Sequence, residues 1–454
     1  MRGRRVLVVG LGRFGGGVGV TRWLAAQGAI VTVTDQADAK ALADSVAAVG
    51  DLNVSLRLGG HDEHDLDHAD LVIVNPAVDK AKSVFFHEVV RRGIPWTTEM
   101  NLFCERCPAT VIGVTGTYGK STTCAMLAEV YERARVADKT SYRAIHLGGN
   151  IGRSLMGELA TMDERDLVVL EMSNAQLEDL PRIAWAPHVA VITNLHPHHL
   201  DRYASFTDYL RAKLNISCDP KRRAPVITGP MHQMAEAMLV AELTEWTDHS
   251  AGVRDRRVHV RNLGKPFSLR VPGSHNQANA ACVLTVCETM GVDEALVRTA
   301  LAEFRGLPHR LEFVRTLDGV DYYNDSKSTA PAATVVALEA LDRPTVAIVG
   351  GQRKDVSLAE CAAVLARRCR AVVCMGESGP AFAEALRSIE GSTPSIETVP
   401  SLVEAVPAAR DFAHLGDVIL FSPGAPSFDH YGNFTQRGQY FVEVVAMLGA
   451  ARTD

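Results

Sequence analysis

Thr110-Val111-Ile112-Gly113-Val114-Thr115-Gly116-Thr117-Tyr118-Gly119-Lys120-Ser121-Thr122 reads as a strand, a tight loop and the start of a helix in immediate succession. Residues 110–114 are a short apolar run of the kind buried in parallel sheets, and a helix is expected over 121–133. Between them, small residues free backbone N–H groups to face phosphate oxygens. The helix N-terminus adds a partial positive charge. Lys120 supplies a cation for the β- and γ-oxygens of ATP, and Ser121 a hydroxyl for Mg²⁺. The standard spacing Gly-x-x-x-x-Gly-Lys-Ser/Thr is not met, because Val114 stands five places before Gly119. The mechanics survive that departure, and the loop is expected to hold ATP.

Downstream, the apolar run Leu167–Leu170 stops at Glu171, which places a carboxylate at a strand's C-terminal edge, where a phosphate loop needs a metal partner. A further strand, Val189–Thr193, leads into Asn194-Leu195-His196-Pro197-His198-His199-Leu200-Asp201. The crowded histidines invite a zinc reading, but zinc ligands usually come from separated positions. Mg²⁺ or Mn²⁺ held by one histidine is the better expectation.

Upstream, Val6–Val9 is a buried strand that breaks into Gly10-Leu11-Gly12-Arg13-Phe14-Gly15, followed by a helix expected around 19–27 and a second strand, Ala29–Thr34, that ends at Asp35. This is the dinucleotide fingerprint. NAD satisfies it, as does any diphosphate nucleotide, a UDP-sugar included. Asp70–Val74 is another strand and stops at Asn75-Pro76. Toward the C-terminus, Thr345–Val349, Ala371–Cys374 and Val418–Phe421 each end in a small-residue turn, where ligands of open parallel sheets gather. A helix is expected over 275–290. The strand–helix alternation predicts an α/β chain of three domains: 1–107, Rossmann-like; 108–305, of P-loop ATPase type; and 306–454, again Rossmann-like. Cys107-Pro108 and Phe304–Pro308 serve as linkers.

Composition sets the outer bounds. A length of 454 residues suits about three domains. A net charge of -6 argues against a nucleic-acid partner, which usually meets a basic surface. Nine scattered cysteines, with Cys104-x-x-Cys107 as the one close pair, do not form a disulfide framework and suit a reducing cytoplasm. The basic N-terminus before Val6 imitates a signal peptide, but its apolar run is too short. No stretch approaches 18 apolar residues, so no membrane association is expected.

The ordered motifs carry a further reading. They are Gly116–Ser121, Gly148-Gly149-Asn150-Ile151-Gly152, Glu171-Met172-Ser173-Asn174-Ala175-Gln176-Leu177-Glu178 and His199-Leu200-Asp201-Arg202-Tyr203. Then come His275-Asn276-Gln277-Ala278-Asn279-Ala280, Leu307-Pro308-His309-Arg310, Asn324-Asp325-Ser326-Lys327 and Ser422–Gly438. In this set and order the chain resembles the Mur ligases of peptidoglycan synthesis, in particular their glutamate-adding branch. The resemblance implies a UDP-sugar domain, a central ATPase and a C-terminal amino-acid domain. UDP-N-acetylmuramoyl-L-alanine and glutamate (D-glutamate favoured) would be the substrates of a cytoplasmic monomer that uses ATP and two Mg²⁺ ions, with Mn²⁺ as the alternative metal.

The same resemblance implies residue roles. Gly116, Thr117, Gly119, Lys120, Ser121, Thr122, Asn276, Asn279, Arg310 and Asp325 would hold ATP. Gly12, Arg13, Phe14, Asp35, Asn150, Ser173 and Gln176 would hold the UDP-substrate. Lys327, Thr329, Lys354, Ser427 and Phe434 would hold glutamate, Lys327 also acting in catalysis with Lys120, Glu171, His199 and Lys213. Ser121, Glu171, His199 and Lys213 would ligate metal, Lys213 as the lysine that is carbamylated in this family. The chain departs from the family at Tyr118 (usually Asn), at His196-Pro197-His198 (usually Thr-Glu-Asp), at Asn174-Ala175 (usually Ser-Phe) and at Asn75-Pro76-Ala77 (usually Ser-Pro-Gly). A variant taking L-glutamate, a regulator with a defunct ligase site and an NAD-dependent oxidoreductase built on Gly10–Gly15 are the competing readings.

Overall fold

A computed structural model describes the chain except residues 14, 152, 197–201, 218–223, 230–256, 260–265, 392–393 and 450–454, and the side chains of 257–259. Two compact units carry three sheets: residues 1–265 with 278–300, and residues 266–277 with 301–454.

The first sheet of the first unit comprises β1 (Arg5–Val9), β2 (Ile30–Asp35), β3 (Ser55–Leu58), β4 (Leu71–Val74) and β5 (Trp96–Thr97) in the order β3-β2-β1-β4-β5, every neighbouring pair parallel. Chain order reverses between β1 and β4, which opens a crevice beyond their C-terminal ends. The helix Gly16–Ala26 begins earlier than the sequence suggests. Gly15 caps it with φ 86°. Gly17 lets it sit against the turn: a Cβ there would lie 2.2 Å from the Leu11 carbonyl oxygen and 2.5 Å from that of Gly10. The close-packing glycine of the fingerprint is therefore Gly17, two residues beyond the one the spacing names.

The second sheet has β6 (Thr110–Thr115), β7 (Ile145–Gly149), β8 (Leu167–Glu171), β9 (Val189–Ile192), β10 (Val226–Thr228) and β11 (Arg257–His259), ordered β11-β10-β9-β6-β8-β7 and parallel throughout. Both sheets feed one hydrophobic core. Val6, Val8 and Leu24 belong to the same cluster as Val111, Val168 and Leu170, with Leu102 and Phe103 of the helix Glu99–Arg106 among them. That shared burial ties the two layers together without a loose linker.

The second unit holds β12 (Glu312–Leu317), β13 (Val320–Asn324), β14 (Thr345–Gly350), β15 (Cys369–Met375), β16 (Ser395–Val399) and β17 (Val418–Phe421), ordered β12-β13-β17-β14-β15-β16. Along β14, Ala347 and Val349 enter one core, and Val346 and Ile348 the other, so helices cover both faces. β12 and β13 are antiparallel. Their hairpin turns at Asp318-Gly319, with φ 52° and 73°, the positive pair that a two-residue turn of this kind requires.

Among the described residues, no helix is long and apolar enough to cross a membrane, and the eight described cysteines are free thiols.

Gly17→Ala should cost about 1–3 kcal/mol of stability, because the added methyl meets backbone rather than a movable side chain. A thermal melt of the variant checks this; an unchanged midpoint would contradict it.

Candidate active site

The phosphate loop follows β6, the strand flanked by β8 and β9. Parallel register sets Val114 beside Glu171 and Thr115 beside Ile192, so the residues leaving all three strands meet at one edge. The loop is held from the β9 side. Tyr118 N–H donates to Asn194 Oδ1 at 2.9 Å, and Asn194 Nδ2 donates back to the Tyr118 carbonyl at 3.0 Å. Thr193 Oγ1 donates to the same carbonyl at 2.6 Å. Gly116, at φ 147°, has room for no side chain, since a Cβ would lie 2.0 Å from Thr193 Oγ1. A Cβ on Gly119 would lie 2.3 Å from Asn279 Oδ1, which places Asn279 directly over the loop. Lys120 Nζ donates to the Gly116 and Thr117 carbonyls at 3.0 Å each. Ser121 and Thr122 open the helix Lys120–Val136.

Tyr209 and Lys213 lie one turn apart on the helix Phe206–Leu214 and so share a face. That face meets the loop: Tyr209 Oη is 2.9 Å from Thr117 Oγ1, and Lys213 Nζ donates to Thr115 Oγ1 at 3.4 Å. Lys213 is 1% exposed. Burial, reinforced by the Lys120 cation and opposed by Glu171, pushes its amine down to about 7. Glu171, at the end of β8, is also buried. Its Oε1 accepts from Asn150 Nδ2 at 2.9 Å, while its Oε2 has no hydrogen-bond partner among the described residues. A buried carboxylate oxygen left bare is costly unless a cation or donor meets it, so the strand end fits a metal. His199 and Phe14 lie outside the described residues, and the described ones contain no cluster of three His, Cys, Asp or Glu suited to a metal.

A cavity of about 630 Å³ joins the two sheets of the first unit. Gly10, Gly12 and Arg13 line it from the first sheet, and Lys120, Asn150 and Ser173 from the second. Gln176 also lines it and forms a capping box with Ser173: Ser173 Oγ accepts from Gln176 N–H at 3.3 Å, and Gln176 Oε1 accepts from Ser173 N–H at 2.9 Å. Part of each side chain's polarity thus serves the helix Asn174–Leu177. Asp35 acts on the loop itself. Its carboxylate accepts from Gly12 N–H at 3.0 Å and Ala37 N–H at 2.9 Å, which orders the glycine turn.

In the second unit the expected residues again gather past the C-terminal ends of neighbouring strands. Asp325, Lys327 and Thr329 follow β13, Ser427 follows β17, and Lys354 follows β14, three strands adjacent in the sheet. Asp325 is buried; it accepts from Leu311 N–H, Ser328 Oγ and Ser422 Oγ at 3.1, 2.6 and 2.7 Å. Burial outweighs those donors and raises its carboxyl to about 6. Lys327 and Lys354 are exposed, Arg310 likewise, and Ser427 is buried. Phe434 is half-buried, its ring centroid 6.3 Å from that of His309. Asn276 donates to the Pro272 carbonyl at 2.6 Å.

Sequence reasoning missed Arg437. Fully buried, it donates to Ser326 Oγ and O and to the Ala425 and Pro426 carbonyls, which fixes the loops after β13 and β17. It missed Arg202 as well, which lines the cavity while donating to Glu178 at 3.0 Å. Both lie inside motifs quoted from the sequence, His199–Tyr203 and Ser422–Gly438, but their roles depend on partners outside those motifs, Glu178 for Arg202 and Ser326 for Arg437.

Three family models match in series: Mur ligase MurD-like, N-terminal domain, over residues 4–97; Mur ligase middle domain, over 114–287; and Mur ligase, glutamate ligase domain, over 309–424. The chain belongs to the Mur ligase family, ATP-dependent ligases that form a carbon–nitrogen bond. The match over 4–97 decides against a nicotinamide-binding first domain.

Over nearly all of its length the chain is similar to UDP-N-acetylmuramoylalanine–D-glutamate ligases. That of Symbiobacterium thermophilum is 34% identical over 98% of each chain, and that of Geotalea uraniireducens 35% over 99% of each. Among solved structures, its fold is similar to that of a UDP-N-acetylmuramate-alanine ligase from Thermotoga maritima, at 22% identity, 97% and 99% coverage and a TM-score of 0.56. It is also similar to that of a UDP-N-acetylmuramoyl-L-alanyl-D-glutamate–2,6-diaminopimelate ligase, at 13% identity, 86% and 95% coverage and a TM-score of 0.57.

The depressed Lys213 amine has a consequence for stability. Between about 7 and the ordinary lysine value near 10.5, the unfolded chain binds a proton that the folded chain does not, so stability rises with pH across that window. Below about 7 the folded state bears the whole cost of the buried cation. In bicarbonate-free buffer, Lys213→Met should therefore melt at or above the parent temperature at pH 6, with its advantage shrinking toward pH 10. A lower melting temperature at pH 6 would contradict the burial argument.

Proposed function

We propose that the protein joins D-glutamate to UDP-N-acetylmuramoyl-L-alanine in cytoplasmic peptidoglycan precursor synthesis, converting ATP to ADP and phosphate. The carrying observation is the continuous cavity that runs from the glycine turn at Gly10–Arg13 to Lys120. A UDP-sugar held at one end would present its peptide carboxylate to the phosphate loop at the other. Full-length similarity to ligases named for D-glutamate supports that acceptor.

On this reading a carboxylate oxygen of the alanyl group attacks the γ-phosphorus of ATP, the bond to the β-phosphate oxygen breaks, and ADP leaves. The acyl phosphate is then attacked at carbon by the amine of glutamate. Phosphate departs with the former carboxylate oxygen, and the amine loses a proton. Lys120, with the N–H groups of Gly116 and Gly119, neutralises and orients the phosphates, while Thr117 shapes the loop by donating its N–H to the Asn194 carbonyl at 3.0 Å. Ser121, Thr122 and Asn279 complete the nucleotide site within the first unit. Positioning and charge neutralisation carry the first step.

Glu171, Ser121, His199 and a carbamylated Lys213 would hold two Mg²⁺ ions, or Mn²⁺, whose chemistry is to offset phosphate charge. The bare Glu171 Oε2 supports this. A Lys213 amine near 7 supports carbamylation, because only a neutral amine adds to carbon dioxide.

Gly12, Arg13, Phe14, Asn150, Ser173 and Gln176 would meet the UDP-substrate, with Asp35 bracing Gly12. Lys327, Thr329, Lys354, Ser427 and Phe434 would meet glutamate, the lysines suiting its two carboxylates. We assign the functional domains to 1–107, 108–305 and 306–454 and the active form to a monomer.

The test incubates the purified chain with ATP, Mg²⁺ and UDP-N-acetylmuramoyl-L-alanine and offers D-glutamate, L-glutamate, diaminopimelate or L-alanine. Phosphate release with D-glutamate is expected. Release with L-glutamate alone would overturn the stereochemistry, and release with none would leave a nucleotide-binding regulator. Lys120→Ala should lower turnover by at least about 100-fold while UDP-substrate affinity stays close to the parent's; loss of both would contradict the division of the cavity.

A further inference from the structure

One wall of the cavity is built by groups that the reading above does not use. Glu99 opens the helix Glu99–Arg106 at the end of the first sheet's segment, and Ser154 lies in the loop after β7 of the second. Both line the cavity. Ser154 Oγ donates to Glu99 Oε1 at 2.6 Å, a hydrogen bond that joins the two layers. The pair is seated against the helix Gly16–Ala26 at Gly19, where a Cβ would lie 2.3 Å from Ser154 Oγ. Any larger residue at 19 would displace the serine.

The other oxygen of Glu99 has no protein partner among the described residues, yet it belongs to a cavity-lining group. The same cavity presents Arg13 and Arg202, cations suited to a diphosphate and a carboxylate, with Lys120 at the end given above to ATP. A carboxyl group among them opposes the binding of anions unless it meets a donor. The donors on a UDP-linked amino sugar are its hydroxyls and amide N–H groups. Burial pushes the Glu99 carboxyl up from its ordinary value, so the environment already charges a desolvation cost that a neutral donor would offset.

We infer that Glu99, oriented by Ser154, is a specificity-determining residue that accepts a hydrogen bond from a hydroxyl or amide N–H of the sugar-peptide portion of the UDP-substrate. The inference rests on the ligase reading. It adds a discriminating contact between the uridine diphosphate end and the reacting carboxylate. Such a contact distinguishes the sugar nucleotide from UDP itself, because a site built to satisfy a hydrogen bond penalises the ligand that lacks it. Ser154 is a positioning residue: it holds one oxygen so that the other faces the cavity.

The experiment titrates the full chain, Glu99→Ala and Glu99→Gln calorimetrically with UDP and, separately, with UDP-N-acetylmuramoyl-L-alanine. In Glu99→Ala, affinity for the sugar nucleotide should fall about tenfold or more while that for UDP stays within about twofold. Glu99→Gln keeps a carbonyl acceptor and should recover most of the loss. In steady state, Glu99→Ala should raise KM for the sugar nucleotide and leave KM for ATP unchanged. An unchanged ratio of the two affinities would overturn the assignment, as would an equal loss of both, which marks damage to the fold. If the parent chain binds the sugar nucleotide and turns over but the ratio does not move, only the role of Glu99 fails. If the parent binds no sugar nucleotide, the ligase reading fails with it.

Discussion

The parallel register that sets Val114 beside Glu171 and Thr115 beside Ile192 is the constraint on which the proposed reacting centre depends. It carries the phosphate loop, the lone carboxylate and the Thr193-Asn194 clamp out of the sheet at the same height. One residue of slippage in β8 would turn Glu171 to the opposite face. The apolar residues of β8 are all buried, and Val168 and Leu170 hold that register through the core they enter. Hydrophobic burial in the strand thus fixes the position of a charge at its end.

That position is electrostatically costly, and the cost points to the chemistry. Lys213 and Glu171 are buried near Lys120, with one ammonium donating to a threonine hydroxyl and one carboxylate oxygen unmet. A structural ion pair would close on itself. This arrangement instead leaves capacity for phosphate and cation, as expected of a site whose charges are arranged for a bound state. Arg437 in the second unit shows the opposite case. Burial lowers it to about 10, yet its donors are satisfied by Ser326, Ala425 and Pro426, so it organises loops and leaves little for a ligand.

Much of this was legible in the sequence because it is local. The apolar runs at 110–114, 167–170 and 418–421 became β6, β8 and β17, and the small-residue turns after them became the strand-end loops. The strand, tight turn and helix around Gly116–Ser121 were readable because such a loop is built mostly from its own backbone. The hairpin β12–β13 was overlooked although Asp318-Gly319 signals it, since the surrounding alternation suggested a purely parallel sheet. Gly17 was overlooked because spacing alone cannot say which glycine touches the turn. Glu99 and Ser154, 55 residues apart, meet only once the two sheets share a core. Pairs of that kind are set by tertiary packing, which a single sequence does not display.

The central claim is that a carboxylate of the UDP-substrate, delivered along the cavity, is phosphorylated at Lys120. Oxygen transfer reads this directly. Turnover of UDP-N-acetylmuramoyl-L-alanine labelled with oxygen-18 in its alanyl carboxylate should place one labelled oxygen in each phosphate released, detectable by mass spectrometry. Phosphate carrying no label would show that water, and not the carboxylate, attacks ATP, and would contradict the account.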